Sequence, residues 1–148
     1  MKDEKIIYSE LGDFLTHMIP VPWDIIFYYA EVGVGWKNAW FAYTEKETGK
    51  VITLDNFFRR YENYPFTKIQ MLRNMMEPLR DLVENAKNRE DKIWNSMTFV
   101  ITEDGVFHVD FSYEESLESR DDVRAKLVKE ILNADHAVQI KGKYPSLE

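Results

Sequence analysis

The sequence predicts an α+β fold: a single domain in which a mainly antiparallel sheet of about five strands packs against a long central helix, with further helices at the N- and C-terminal ends, in the order α-β-β-β-α-β-β-α. Three observations carry this prediction. Apolar residues recur at spacings of three and four near the start, middle and end of the chain; runs rich in β-branched and aromatic residues lie between them; and Asp104-Gly105 separates two alternating runs as a hairpin turn. At 148 residues the chain suits one core, long enough to bury roughly two thirds of its unfolded surface. Residues 1–133 are expected to form the domain, and 134–148, which show little periodicity, a peripheral tail.

The first helix spans Asp3 to Met18, with Ile7, Leu11, Phe14 and Met18 on one stripe. Gly12 weakens it by about 1 kcal/mol relative to Ala. Pro20 and Pro22 end it, because a proline ring lacks the amide donor and restricts the residue before it. His17, off the stripe in the last turn, reads as a helix-end residue rather than a metal ligand. Trp23 to Val32 reads as a strand, Gly33 to Lys37 as a turn and Asn38 to Thr44 as a second strand apolar on both faces. Val51 to Leu54 is a third, after the polar loop Glu45 to Lys50. The Gly33-Val34-Gly35 triplet is not a nucleotide loop, since it lacks the third glycine and a following helix. Asp55 to Tyr64, with Phe57, Phe58, Tyr61 and Tyr64 around Arg59-Arg60, fits no element, and two arginines among acids fall short of a nucleic-acid stripe.

Thr67-Lys68-Ile69-Gln70 is a capping box, and Phe66 with Met71 a matching hydrophobic staple, so a long helix starts here. Ile69, Leu72, Met76, Leu79, Val83 and Ala86, widened by Met75 and Leu82, give it a sheet-facing stripe to about Asn88, with a kink expected at Pro78. The methionines Met71, Met75, Met76 and Met97 read as core filler rather than as an adaptable groove. Ser119-Arg120-Asp121-Asp122 opens the last helix, which Val123, Leu127 and Ile131 carry to about Asn133.

Trp94 to Glu114 is the hairpin. A three-residue loop, Glu103-Asp104-Gly105 with Gly105 left-handed, sets Met97, Phe99 and Ile101 beside Phe111, Val109 and Phe107, whereas a two-residue loop would set Phe99 and Ile101 beside Asp110 and His108. The first register is expected, because it makes one face wholly apolar. That face is assigned to the helix Thr67 to Asn88. The other, with Ser96, Thr98, Val100 and Thr102 against Ser112, Asp110, His108 and Val106, is half polar and is expected to meet solvent or a partner.

Composition narrows the function. With no cysteine there are no disulfides and no thiolate chemistry. No apolar run approaches the ~20 residues of a membrane span, and the charged start MKDEK gives way to Glu10, Gly12 and Asp13 where a signal core would lie, so a cytoplasmic, non-membrane protein is expected. Net charge is −7, and the segment Glu103 to Asp122, with eight acids and the single base Arg120, accounts for all of it. Such a segment disfavours nucleic acid as a direct ligand and favours a basic partner, although solvated acids alone would look the same. His108 and Asp110, two apart on one strand, point to one face and permit an acid/base pair. The spacing is unspecific, and hydrogen bonds across the hairpin to Thr98 and Ser112 explain it as well. No catalytic motif or cofactor is implied.

The opening helix, Ile19-Pro20-x-x-Trp23 leading into a strand that ends Tyr29-Ala30-Glu31-Val32, then Trp94-Asn95 through Phe99, and Gly105-x-Phe107-x-x-Asp110-Phe111-x-Tyr113-Glu114 together resemble the YezG-like family of bacterial antitoxin or immunity proteins, from about Ile6 to Leu132. The resemblance implies an α+β, cytoplasmic, non-enzymatic protein that neutralises a secreted polymorphic toxin, often a nuclease, by binding it in the producing cell. It transfers no catalytic, cofactor or metal residues. A basic nuclease domain would suit the acidic segment, and Asp110, Tyr113, Glu114, Glu115, Glu118 and Asp121 are the candidate contacts, with Tyr113 as an amphipathic anchor. A generic interaction module with an unrelated partner, and an enzyme built on His108 and Asp110, are the alternatives.

Overall fold

A computed structural model describes residues 2–115 and 118–132; the expected tail, 134–148, lies outside them. Helix α1 (Glu4–Met18) leads into strands β1 (Trp23–Gly33), β2 (Trp36–Glu45) and β3 (Val51–Thr53), helices α2 (Leu54–Arg60) and α3 (Lys68–Asn88), strands β4 (Ser96–Thr102) and β5 (Phe107–Ser112), and helix α4 (Arg120–Ile131). The five strands form one antiparallel sheet in the order β3-β2-β1-β4-β5. The order of elements matches the expectation except for α2, which occupies most of the stretch that fitted no element.

β1 is central and pairs along its length with β2 and β4, for instance Tyr28 with Phe41 and Phe99. Its side chains alternate between two covered faces. On one lie Ile26, Tyr28 and Ala30 beside Phe41, Tyr43, Met97, Phe99 and Ile101, all buried. Helix α1 covers the hairpin end of this face: the Tyr8 ring stacks 6.5 Å from Phe99 and lies 6.3 Å from Phe107. Helix α3 sits over β1 and β2, where the Tyr28 hydroxyl donates to the Met75 carbonyl at 2.8 Å. The apolar face of the hairpin is expected against α3, and this is corrected: α1 covers it, with Tyr8 on Phe99 and Phe107 and the small Gly12 facing Ile101 and Phe99.

The hairpin register is the three-residue one. Met97 pairs with Phe111, Phe99 with Val109 and Ile101 with Phe107; Thr102 N–H donates to the Val106 carbonyl, and Gly105 has φ +85°. The half-polar face meets solvent only in part, at Asp110, which is exposed, and at Ser96, Val106 and Ser112, which are half-buried. Val100, Thr98, Thr102 and His108 are all buried, on the side of the sheet over which α4 lies with Arg124 5.1 Å from the Trp40 ring centroid and Arg120 5.5 Å from that of Trp36. The fold therefore has three layers, and burial pulls the Arg124 guanidinium below its usual range.

The capping box of α3 is formed, with Thr67 and Gln70 exchanging bonds, and Ser119 caps α4 through Asp122 N–H. The inward stripe of α3 is Met71, Met75, Leu79, Leu82, Val83 and Ala86, so the methionines are core. Ile69, expected on that stripe, is 71% exposed, while Met71 and Met75 take the buried positions at this end of the helix. His17 Nδ1 donates to the Asp13 carbonyl at 2.6 Å, a helix-end contact. No helix among the described residues is long and apolar enough to cross a membrane.

At the outer end of β2, Glu45 is only 5% exposed. It accepts from Arg60 Nε at 2.6 Å, the Tyr61 hydroxyl at 2.5 Å, Thr48 Oγ1 at 2.7 Å and a second Arg60 nitrogen; Tyr43 in turn donates to Tyr61 at 2.6 Å. These bonds tie α2 to the sheet. The ring of Phe57 completes the contact, edge-on to Phe41, Tyr43 and Tyr61.

Two tests follow from this packing. A Cβ at Gly12 would meet Ile101 Cδ1 at 3.4 Å and Phe99 Cζ at 3.6 Å, ordinary contact distances. In urea unfolding, Gly12→Ala should therefore stabilise by about 0.5–1 kcal/mol, whereas Gly12→Leu should destabilise by about 1–3 kcal/mol as α1 is pushed off the hairpin. The second concerns acid. The Arg60 guanidinium, followed by the Tyr61 and Thr48 hydroxyls, outweighs burial and holds the Glu45 carboxyl at about 2 against an ordinary 4.5. A carboxyl lowered on folding stabilises the native state above its unfolded value and loses that contribution as pH falls towards the folded one. Stability should therefore fall between about 4.5 and 2, and Glu45→Gln should flatten that fall while lowering neutral-pH stability by roughly 1.5–3 kcal/mol.

Candidate partner-binding groove

The inner end of the β1–β2 pair, opposite Glu45, closes on a tight turn. Gly33 pairs with Trp36, leaving Val34-Gly35 as the loop, with Gly35 at φ +76°. Trp36 and Lys37, expected in the turn, thus belong to β2.

Beside this turn runs the segment between α3 and β4. Trp94 is buried and its ring lies 5.1 Å from that of Phe111. Asn95 then joins its own segment to two others: its carbonyl accepts from Val32 N–H at 2.9 Å, its own N–H donates to the Ser112 carbonyl at 2.7 Å, and its side-chain Nδ2 donates to the Tyr113 carbonyl at 3.1 Å. The end of β1 and the acidic exit of β5 are thereby fixed on either side of one residue.

Between them lies a groove of about 780 Å³. Glu31, Val32, Val34 and Trp36 form one wall, Ile93, Trp94 and Asn95 the floor side, and Glu114, Glu115 and Glu118 the other wall; Lys87 is the one cation among its described lining residues. Glu31 is drawn towards α4 by Arg120 Nε at 3.3 Å, and Glu118 is bridged to Lys126 at 2.6 Å. The carboxylates of the groove can accept a cationic group.

Of the six residues singled out from sequence, Glu114, Glu115 and Glu118 line this groove together. Tyr113 stands just outside, half exposed, with Lys92 Nζ 5.8 Å from its ring centroid. Asp110 is exposed on the edge strand β5 and Asp121 is exposed in the first turn of α4; neither lines the groove. Glu31, Val34 and Trp36 were not anticipated, because strand pairing, not local sequence, brings them to the acids. The His108–Asp110 pair shares a face but not an environment: His108 is 3% exposed and Asp110 is at the surface. Among the described residues no group of three or more His, Asp or Glu is placed to hold a metal ion.

The family model described as "Immunity protein YezG-like" matches residues 5–131, which includes every element of this groove. The chain belongs to the YezG-like immunity protein family. Among its relatives in that family, the immunity protein YezG of Bacillus subtilis (strain 168) is 26% identical over 113 residues, spanning 76% of this chain and 75% of that protein. The type VII secretion system protein EsaG of Staphylococcus aureus (strain NCTC 8325 / PS 47) is likewise 26% identical, over 117 residues that span 75% of this chain and 69% of EsaG. An immunity protein YezG of Bacillus spizizenii is 20% identical over 113 residues.

Asn95→Ala tests how the groove is held. Losing the bond to the Tyr113 carbonyl should lower global stability by no more than about 1 kcal/mol, yet amide exchange over Ser112 to Glu115 should quicken selectively in hydrogen-exchange mass spectrometry.

Proposed function

We propose that this protein is a non-catalytic immunity protein that binds a cognate toxin of its own cell in the cytoplasm, and that the toxin is a basic nuclease domain met by the acidic wall of the groove. Family membership supports the immunity role, and the names of the relatives, one of them a type VII secretion system protein, suit a partner destined for export. The observation that carries the surface assignment is the convergence of Glu114, Glu115 and Glu118 on one groove, in a chain whose whole net charge of −7 resides between Glu103 and Asp122.

A nuclease engages an anionic substrate and presents cationic side chains at its active surface. A concentrated acidic wall speeds encounter with such a surface by long-range attraction and competes for the place of the phosphates. Asp110, Tyr113 and Asp121 flank the wall and extend the same sign of field, with the Tyr113 ring as an amphipathic contact at the rim.

Tagged protein expressed in its own cell should recover a toxin domain that degrades DNA or RNA and is silenced by stoichiometric complex formation. Against that purified domain, the double substitution Glu114→Lys/Glu115→Lys should slow association at least about tenfold at low salt and flatten its salt dependence, with protection lost in a growth assay. Unchanged association and protection would refute the acidic surface; a recovered domain without nuclease activity would refute the nuclease.

A further inference from the structure

The turn between β1 and β2 has a composition that the fold does not call for. Two-residue hairpin loops favour Asn, Asp or Gly, and a β-branched residue adds nothing to the turn. Val34 nevertheless stands at its tip, 101% exposed, and touches none of the core. Behind it Trp36 is 46% exposed, and its indole is held in place from both sides. A Cβ built on Gly33 would fall 2.2 Å from the indole ring, so only glycine lets the ring lie against the strand, and the Arg120 guanidinium sits 5.5 Å from its centroid. An exposed tryptophan already packed between its own strand and a guanidinium is the kind of preorganised aromatic that dominates binding energy at protein interfaces, since little side-chain freedom is lost on contact.

Both residues border the groove whose opposite wall is Glu114, Glu115 and Glu118. We propose that the Val34–Trp36 turn is the apolar anchor of the toxin interface: it seats in a hydrophobic depression on the toxin while an adjoining Lys- or Arg-bearing segment of the same toxin enters the groove behind it. The inference rests on the toxin-binding reading and adds to it a second wall with a different task. The carboxylates accelerate encounter; the turn slows departure. Charge selects this occupant over a second copy of the chain, which would bring acidic wall against acidic wall in a protein of net charge −7.

The test uses the full-length protein. A photo-crosslinking phenylalanine analogue at position 34, introduced in the producing cell, should cross-link to the same toxin domain that the tagged wild-type chain recovers, and the analogue at Lys50, near the opposite end of the β1–β2 pair, should not. With that recombinant domain as the probe, Val34→Ser should dissociate about tenfold faster with association unchanged and the melting temperature close to wild type, and Gly33→Ala, which displaces the indole, should do so more strongly while far-UV circular dichroism shows the fold retained. Cross-linking of position 34 to a second copy or to nothing while the wild type still recovers the toxin, or unchanged dissociation in Val34→Ser while Glu114→Lys/Glu115→Lys slows association, would overturn the anchor and leave the toxin-binding reading standing. If the wild type recovers no toxin domain, both fall.

Discussion

Everything in this fold follows from the need to bury strand β1 on both of its faces. Ile25 to Ala30 is an uninterrupted run of buried residues, so neither face can be left to water. Strand partners on both edges satisfy its backbone, and helices must supply the layers above and below. On one side this is done by apolar packing, through α1 and α3. On the other it is done partly by charge: α4 has Val123, Leu127, Val128 and Ile131 against the core, but it also lays the guanidiniums of Arg120 and Arg124 over tryptophan rings. Such a contact contributes on the order of 1–2 kcal/mol for the half-buried Arg124 and about 0.5–1 kcal/mol for the exposed Arg120. The helix that follows the acidic segment is thus fixed to the sheet by the same residue, Arg120, that holds the Trp36 ring and Glu31 at the groove.

The groove is a by-product of that arrangement rather than an added structure. β1 stays paired with β2 to its last residue, Gly33, and runs on past its last pair with β4, Glu31 with Ser96, so its end, the turn after it and the exit of β5 gather at one pole of the sheet. Asn95 keeps them in register with two backbone bonds and one side-chain bond. Acids arrive from β1 and from the stretch after β5, apolar residues from the turn, and none of the contributing segments is rearranged to form the site.

How much of this the sequence disclosed depended on whether the information was local. The hairpin register was legible because Asp104-Gly105 and strict alternation leave one solution that keeps the apolar residues on one face. The start of α3 was legible from Thr67 and Gln70. The short helix α2 was not: Leu54, Phe57 and Phe58 stand at helical spacing, but seven residues are too short a run for that spacing to decide, and what stabilises the helix is Phe57 in an aromatic cluster and Arg60 on Glu45, contacts made to a distant strand. The acidic wall could be read from charge counting alone, whereas its apolar counterpart at Val34 and Trp36 could not, since an exposed valine and a buried one look the same in a sequence. The half-polar hairpin face misled for the converse reason. Thr98, Thr102 and His108 carry polar atoms but pack beneath a layer that only the tertiary fold supplies.

The register of β1 with β2 puts Glu45 opposite Trp23 at one end of the pair and Trp36 opposite Gly33 at the other. The polar cluster and the groove therefore occupy opposite poles, joined by a ladder whose middle, Ile26 to Ala30 against Ala39 to Tyr43, is apolar. Opening of the molecule need not be all at once: the corner built from α2 and β3 has its own latch, and releasing it exposes little of the surface from which the groove is made. Such a division separates the part of the chain that can loosen from the part that must hold its shape, and it lets the groove keep its form while the opposite corner breathes.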